Sequence, residues 1–298
     1  MQVLIPQSLG ILESSVPEDD APAWDAETMY TEGMRVIDDH YVFQCRTENT
    51  GVRPSENADI DGASWRTVSI TNQWACLDIY GYTQTQAAEG ETKLTITVPF
   101  TRPASGIALL NMRATAVTVA VHDSDGELVW SDEGKDLLKD VRDWWEYWFE
   151  PFRFERDYIA SGIPPVSGTA TITLEYGNRP AVGTIVVGEH VVFGGTRYGV
   201  QSGFTDHSQI TTDTFGNSVW TQRRKARKGT YPVWFAPSDL DYIHGRIEDL
   251  LGAPALWIGS DGVRGLNSLV IFGFLKEYEA SVDAFSYVSA NFEIQGII

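Results

Sequence analysis

The stretch Lys93-Leu94-Thr95-Ile96-Thr97-Val98 decides the fold class of this chain. Leu94, Ile96 and Val98 alternate with Thr95 and Thr97, so an extended backbone puts the apolar side chains on one face and the hydroxyls on the other. That period of two predicts a half-buried strand. Working outward, Val117, Val119 and Val121 share a face, Asp123-Ser124-Asp125-Gly126 supplies turn chemistry, and Leu128-Val129-Trp130 follows, which predicts a hairpin. Thr169 to Tyr176 alternates again until Gly177-Asn178-Arg179-Pro180 breaks the pattern and marks a boundary. Residues 81–180 therefore read as a β-sandwich.

Residues 181–298 combine strands with one helix. The Val- and Gly-rich run from Thr184 to Phe193 and the segment Ser218 to Arg224 read as strands. Leu240, Ile243, Ile247, Leu250 and Leu251 then form an apolar stripe behind Ser238 as N-cap, with Asp241 three residues on. Gly252 and Pro254 end it, so a helix is expected over 239–251. Strands resume at Ala255 to Ile258, Ser268 to Phe274 and Ser286 to Ile294, giving a β-sheet domain with one packed helix. Upstream, Pro6, Pro17 and Pro22 with Glu18-Asp19-Asp20 make residues 1–23 an expected extended arm that latches onto a neighbouring subunit. Residues 24–80, with the short runs Met34–Ile37 and Tyr41–Cys45, form a small aromatic-rich β module. The whole is expected to be mainly β.

The formal net charge of -19 argues against a nucleic-acid partner, because a phosphate backbone is repelled before any specific contact forms. Neither a signal peptide nor a run of roughly 18 apolar residues is visible, so synthesis in the cytoplasm without membrane insertion is expected. Cys45 and Cys76 read as two buried free thiols. No nucleophile elbow, zinc helix, phosphate loop or calcium loop occurs, and the five histidines lack metal spacing. No catalytic residue, metal or cofactor is therefore expected, and no enzyme.

The module at residues 24–80 carries Trp24, Tyr30, Gly33, Val36, Tyr41, Phe43, Pro54 and Trp65. That pattern resembles the chitin-binding modules of carbohydrate-binding families five and twelve. The resemblance implies a glycan-binding face at Trp24, Tyr30, Tyr41 and Trp65, with the two tryptophans as outward rings. A small β module also needs aromatic rings for its core, and both roles draw on the same residues. Thr71-Asn72-Gln73-Trp74-Ala75-Cys76-Leu77-Asp78 resembles the run that follows such modules in structural proteins of tailed bacteriophages. The opening Val3-Leu4-Ile5-Pro6 and the closing Gly296-Ile297-Ile298 are similar to the same group. The resemblance implies a distal-tail or baseplate protein of the virion, forming a trimeric or hexameric ring through residues 181–298 as its tail-tube or ring-like β domain. Its expected partners are tube, hub and tape-measure proteins and a host-surface glycan. A free-standing lectin-like protein is the alternative.

Two further runs stand out. As a strand, Asp143-Trp144-Trp145-Glu146-Tyr147-Trp148-Phe149-Glu150 would send Trp145, Tyr147 and Phe149 into the sandwich core. Trp144 and Trp148 would then lie on an outer face covered by a neighbouring subunit. Arg223, Arg224 and Lys225 open a basic run in an acidic chain, expected as a solvated loop or as a contact with the acidic face of another copy.

Overall fold

A computed structural model describes residues 1–79, 83–139, 141, 143–212, 214–260 and 267–297. Tyr80, the end of the expected N-terminal module, and Ile298, the end of the expected closing strand, lie outside the described residues. The first elements are β1 (Gln2–Pro6), β2 (Arg35–Asp38), β3 (Tyr41–Cys45), β4 (Trp65–Ile70), β5 (Lys93–Leu110), β6 (Ala116–Asp123) and β7 (Leu128–Asp136). Then come α1 (Trp144–Phe149), β8 (Tyr158–Glu175), β9 (Thr184–Val192), β10 (Gln201–Asp206), β11 (Gln209–Thr212) and β12 (Ser218–Thr221). The last are β13 (Lys225–Phe235), α2 (Leu240–Leu250), β14 (Ala255–Ile258), β15 (Val270–Ala284) and β16 (Tyr287–Gly296). The fold is mainly β.

Thirteen strands join in one sheet along the path β7-β6-β8-β5-β9-β1-β14-β15-β16-β13. Gly195–Thr196 and β10 both pair with β13, and Glu13–Ser14 pairs with β5. The opening alternation behaves as expected: Leu94, Ile96 and Val98 are buried. Thr95 and Thr97 meet Thr173 and Thr171 of β8 hydroxyl to hydroxyl, each at 3.2 Å, adding cross-strand bonds on the other face. The register of β5 and β8 shifts between Ser161 and Gly168. Such shifts bend strands. Residues from either side of the bend, Val98 and Ile107 among them, enter one apolar cluster with Val117, Val119, Val121 and Ile172.

A second cluster joins Phe193, Tyr231, Trp257 and Phe292 of the sheet to Ile243, Ile247 and Leu250 of α2. The apolar stripe thus seats the helix as expected. Its entry differs: a single 3₁₀ turn, Pro237–Asp239, precedes it, and the Ser238 hydroxyl donates to Asp239 Oδ1 instead of capping a backbone amide. At the following strand the expected start at Ser268 moves to Val270, because Asn267–Leu269 is a 3₁₀ turn.

The expected free arm is corrected over Gln2–Pro6. This segment is a central strand, paired antiparallel with β9 on one side and β14 on the other. Pro6 is tolerated at its last residue. Val3 and Leu4 are buried, and at roughly 1.5–3 kcal/mol for each fully buried side chain their transfer from water favours docking over extension. Close approach also needs Gly188, where a Cβ would sit 1.8 Å from the Ile5 carbonyl oxygen.

The acidic residues of the expected arm fasten it to its own chain. Glu18 accepts from the Thr71 hydroxyl at 2.8 Å and meets His40 Nδ1 at 3.1 Å, while Asp20 accepts from the Asn72 amide at 2.9 Å. Next to them β2, β3 and β4 make a three-stranded sheet around Tyr30, Val36, Phe43, Cys45 and Trp65. Its β2–β3 turn places Asp39 and His40 at positive φ, 48° and 67°. Two positive φ values are what a tight hairpin turn demands, and non-glycine residues adopt them at a cost. His40 stacks on Trp74 with ring centroids 3.8 Å apart, which holds the turn in place.

Candidate binding surfaces

The four residues expected to form a glycan face do not share one. Trp65 is fully buried, its Nε1 donating to the Val52 carbonyl at 2.8 Å, and Tyr30 packs edge-on against it at 5.2 Å. The Tyr30 hydroxyl accepts from the Asp25 amide at 2.7 Å, so both ends of that side chain are committed to the core. Trp24 is half-buried against the same cluster, and its buried Nε1 has no hydrogen-bond partner among the described residues. Only Tyr41 is exposed. The expectation of Trp65 as an outward ring is corrected: a module this small has few other side chains large enough to close its core.

Asp38 organises the module's polar edge. Arg53 donates to it through Nε and a terminal nitrogen, and the Ser55 amide donates at 3.1 Å. Burial alone would raise its carboxyl, but the bonds from Arg53 and Ser55 outweigh burial and hold the pKa below the ordinary aspartate value. Cys45 and Cys76 are both buried and free. Burial pushes the Cys76 thiol up to about 11, which leaves almost no thiolate at neutral pH.

The junction at residues 71–78 has a clear local role. The Asn72 side chain donates to the Gln86 carbonyl at 2.9 Å and accepts from its amide at 3.0 Å, imitating a strand partner, while Trp74 stacks on His40.

The aromatic run is a helix, not a strand. Asp143 caps α1 by accepting from the Glu146 amide at 2.8 Å, and the Asp-x-x-Glu spacing is a helix-start signal that the aromatic density obscured. Trp145 and Phe149, four apart, then stack at 4.3 Å. The core role expected for Trp145, Tyr147 and Phe149 is corrected, since no residue of α1 is buried. Trp144 and Trp148 are 78% and 68% exposed, and Phe152 just beyond is also exposed.

The basic run lies at the foot of a second projection. β11 and β12 form a two-stranded hairpin in which every residue of both strands is exposed, with Ile210 paired directly with Trp220. The expected strand to Arg224 stops at Thr221. Arg223 donates to Gln209 Oε1 at 3.0 Å, Lys225 lies 3.9 Å from Asp206, and Arg223, Arg224 and Lys225 are all exposed. Among the described residues no group of His, Cys, Asp and Glu is placed to hold a metal ion, and no helix is long and apolar enough to cross a membrane. Compared with family models, curated proteins and solved structures, the chain matches none.

Proposed function

We propose that this chain is a structural protein of a bacteriophage tail, of the distal-tail or baseplate kind, which closes into a symmetric ring of identical copies in the virion. The phage assignment rests on the resemblance of the N-terminal module and of the Asn72–Asp78 junction. The assembly reading is carried by one observation: two projections, α1 and the β11–β12 hairpin, present large aromatic side chains to solvent. Patches of this kind mark interfaces. An aromatic side chain buries roughly 150–250 Å², so the rings of α1 with Phe152 could remove on the order of 1,000 Å², comparable to one side of a standard interface.

The two projections are different patches, and part of their charge is already paired within the chain, Glu150 with Arg153 and Lys225 with Asp206. Asp143 to Glu150 holds three carboxylates and no base, whereas Arg223, Arg224 and Lys225 crowd the hairpin foot. Two different patches that fit each other give a head-to-tail contact, which closes into a ring when the rotation allows. Tube, hub and tape-measure proteins are the further partners of this reading. A host glycan would meet the N-terminal module through Tyr41 and the edge of Trp24.

Mass photometry of the full chain and electron microscopy of native particles test the proposal. The expected result is a closed oligomer that falls to protomers in the combined Trp144→Ser, Trp148→Ser variant, together with matching density in the tail. A chain that stays monomeric at micromolar concentration and is missing from the particles overturns it.

A further inference from the structure

A cleft of about 740 Å³ opens between Asn111–Ala114 on one side and Lys139 and Arg153–Arg156 on the other. Among the described residues Arg113, Lys139, Arg153 and Arg156 line it with one carboxylate, Glu155. The chain as a whole has 41 acidic residues and 22 lysines and arginines, so this wall inverts the local balance. Crowding like charges is unfavourable in the absence of a counter-charge, and a concave surface concentrates the resulting field. At physiological ionic strength the screening length is roughly 8 Å, so a small anion inside the cleft responds to these cations more than to the net charge outside.

The groups around the cleft are held in place. Met112 donates its amide to the Arg156 carbonyl at 2.7 Å, Lys139 to Arg153 at 2.8 Å and Glu155 to Leu137 at 2.7 Å. Arg113 is anchored by donating twice to the Arg179 carbonyl, Lys139 lies 3.5 Å from Glu155, and Arg153 reaches Glu150 at 3.3 Å. The Arg156 guanidinium, by contrast, has no hydrogen bond or ion pair among the described residues. A guanidinium offers paired donors that match a carboxylate or phosphate edge. Beside it Asn111 and Tyr176 offer polar groups and Phe154 a ring face.

We propose that this cleft binds an acidic sugar, with its carboxylate or phosphate on Arg156, hydroxyls on Asn111 and Tyr176, and its apolar face on Phe154. The site is separate from the N-terminal module and flanks α1, and binding is tested on the chain itself whatever its assembly state. Its volume lies within the range of small-molecule sites, roughly 300–1,000 Å³.

Titration calorimetry on the full chain tests this with three probes: glucuronate for sugar plus oxyanion, inorganic phosphate for oxyanion alone, and glucose for sugar alone. Saturable glucuronate binding is expected, at least tenfold tighter than phosphate, with no binding of glucose. Arg156→Ala should weaken glucuronate tenfold or more and Arg156→Lys should restore part of it, while the circular dichroism spectrum is unchanged. Failure of glucuronate to saturate, or equal affinity in Arg156→Ala, overturns the site. Phosphate as tight as glucuronate overturns the sugar assignment.

Discussion

The Trp65 ring lies 5.2 Å from Tyr30, its Nε1 donates to the Val52 carbonyl, and none of it reaches solvent. Removing it leaves a void in a core of few residues and orphans a carbonyl. Trp65→Ala is therefore expected to destabilise the β2–β4 module by roughly 3–5 kcal/mol, read by urea denaturation followed through tryptophan fluorescence. Unchanged stability would show that the indole does not hold the module together. The resemblance picked out Trp24, Tyr30, Tyr41 and Trp65 as a set and turned both tryptophans outward, which packing reverses for Trp65. Their spacing is the same in either role, and only packing tells them apart. The acidic Glu18 and Asp20 were likewise legible as a charged run, but not as the groups that tie His40, Thr71 and Asn72 together.

At the level of elements, alternation located Lys93–Val98 of β5, Val117–Val121 of β6 and the part of β8 from Thr169, because a period of two has a physical cause where one face is buried, while the remaining halves of β5 and β8 were not expected. The run at α1 carries no such signal. Its side chains are aromatic on every face and no residue is buried, so the Asp143 cap and the i, i+4 pair of Trp145 with Phe149 decided its conformation. The β11–β12 hairpin is the other element without a buried face, and isolated two-stranded hairpins are marginal in water. Trypsin is expected to cut the isolated protomer first after Arg223 or Arg224, at the hairpin foot, with protection of these sites in assembled particles. Limited proteolysis with mass spectrometry checks this, and equal cleavage in both states would remove the hairpin from the interface.

For the whole molecule, β1 is the piece that joins the two halves of the sheet. Its residues face different cores: Val3 belongs with Tyr231 and Trp257, and Leu4 with Ala108, Val186 and Phe272. The two halves should therefore unfold together. Leu4→Ala is expected to cost about 2–5 kcal/mol and to shift one shared denaturation transition, measured by urea titration with circular dichroism and fluorescence in parallel. Two separate transitions, only one of them moved, would show that β1 does not couple the halves.

By itself the sequence determined the mainly β class, the alternating strands of the middle third, the turn at Asp123 to Gly126 and the helix that seats Ile243, Ile247 and Leu250. Each follows from a local period that any buried face imposes. Tertiary structure alone decided that Gln2–Pro6 is a central strand, that Trp65 is core, that α1 stands exposed and that four cations from distant segments share one cleft. Those outcomes depend on neighbours far away in the chain, and a single-sequence period records which face is apolar without recording what covers it.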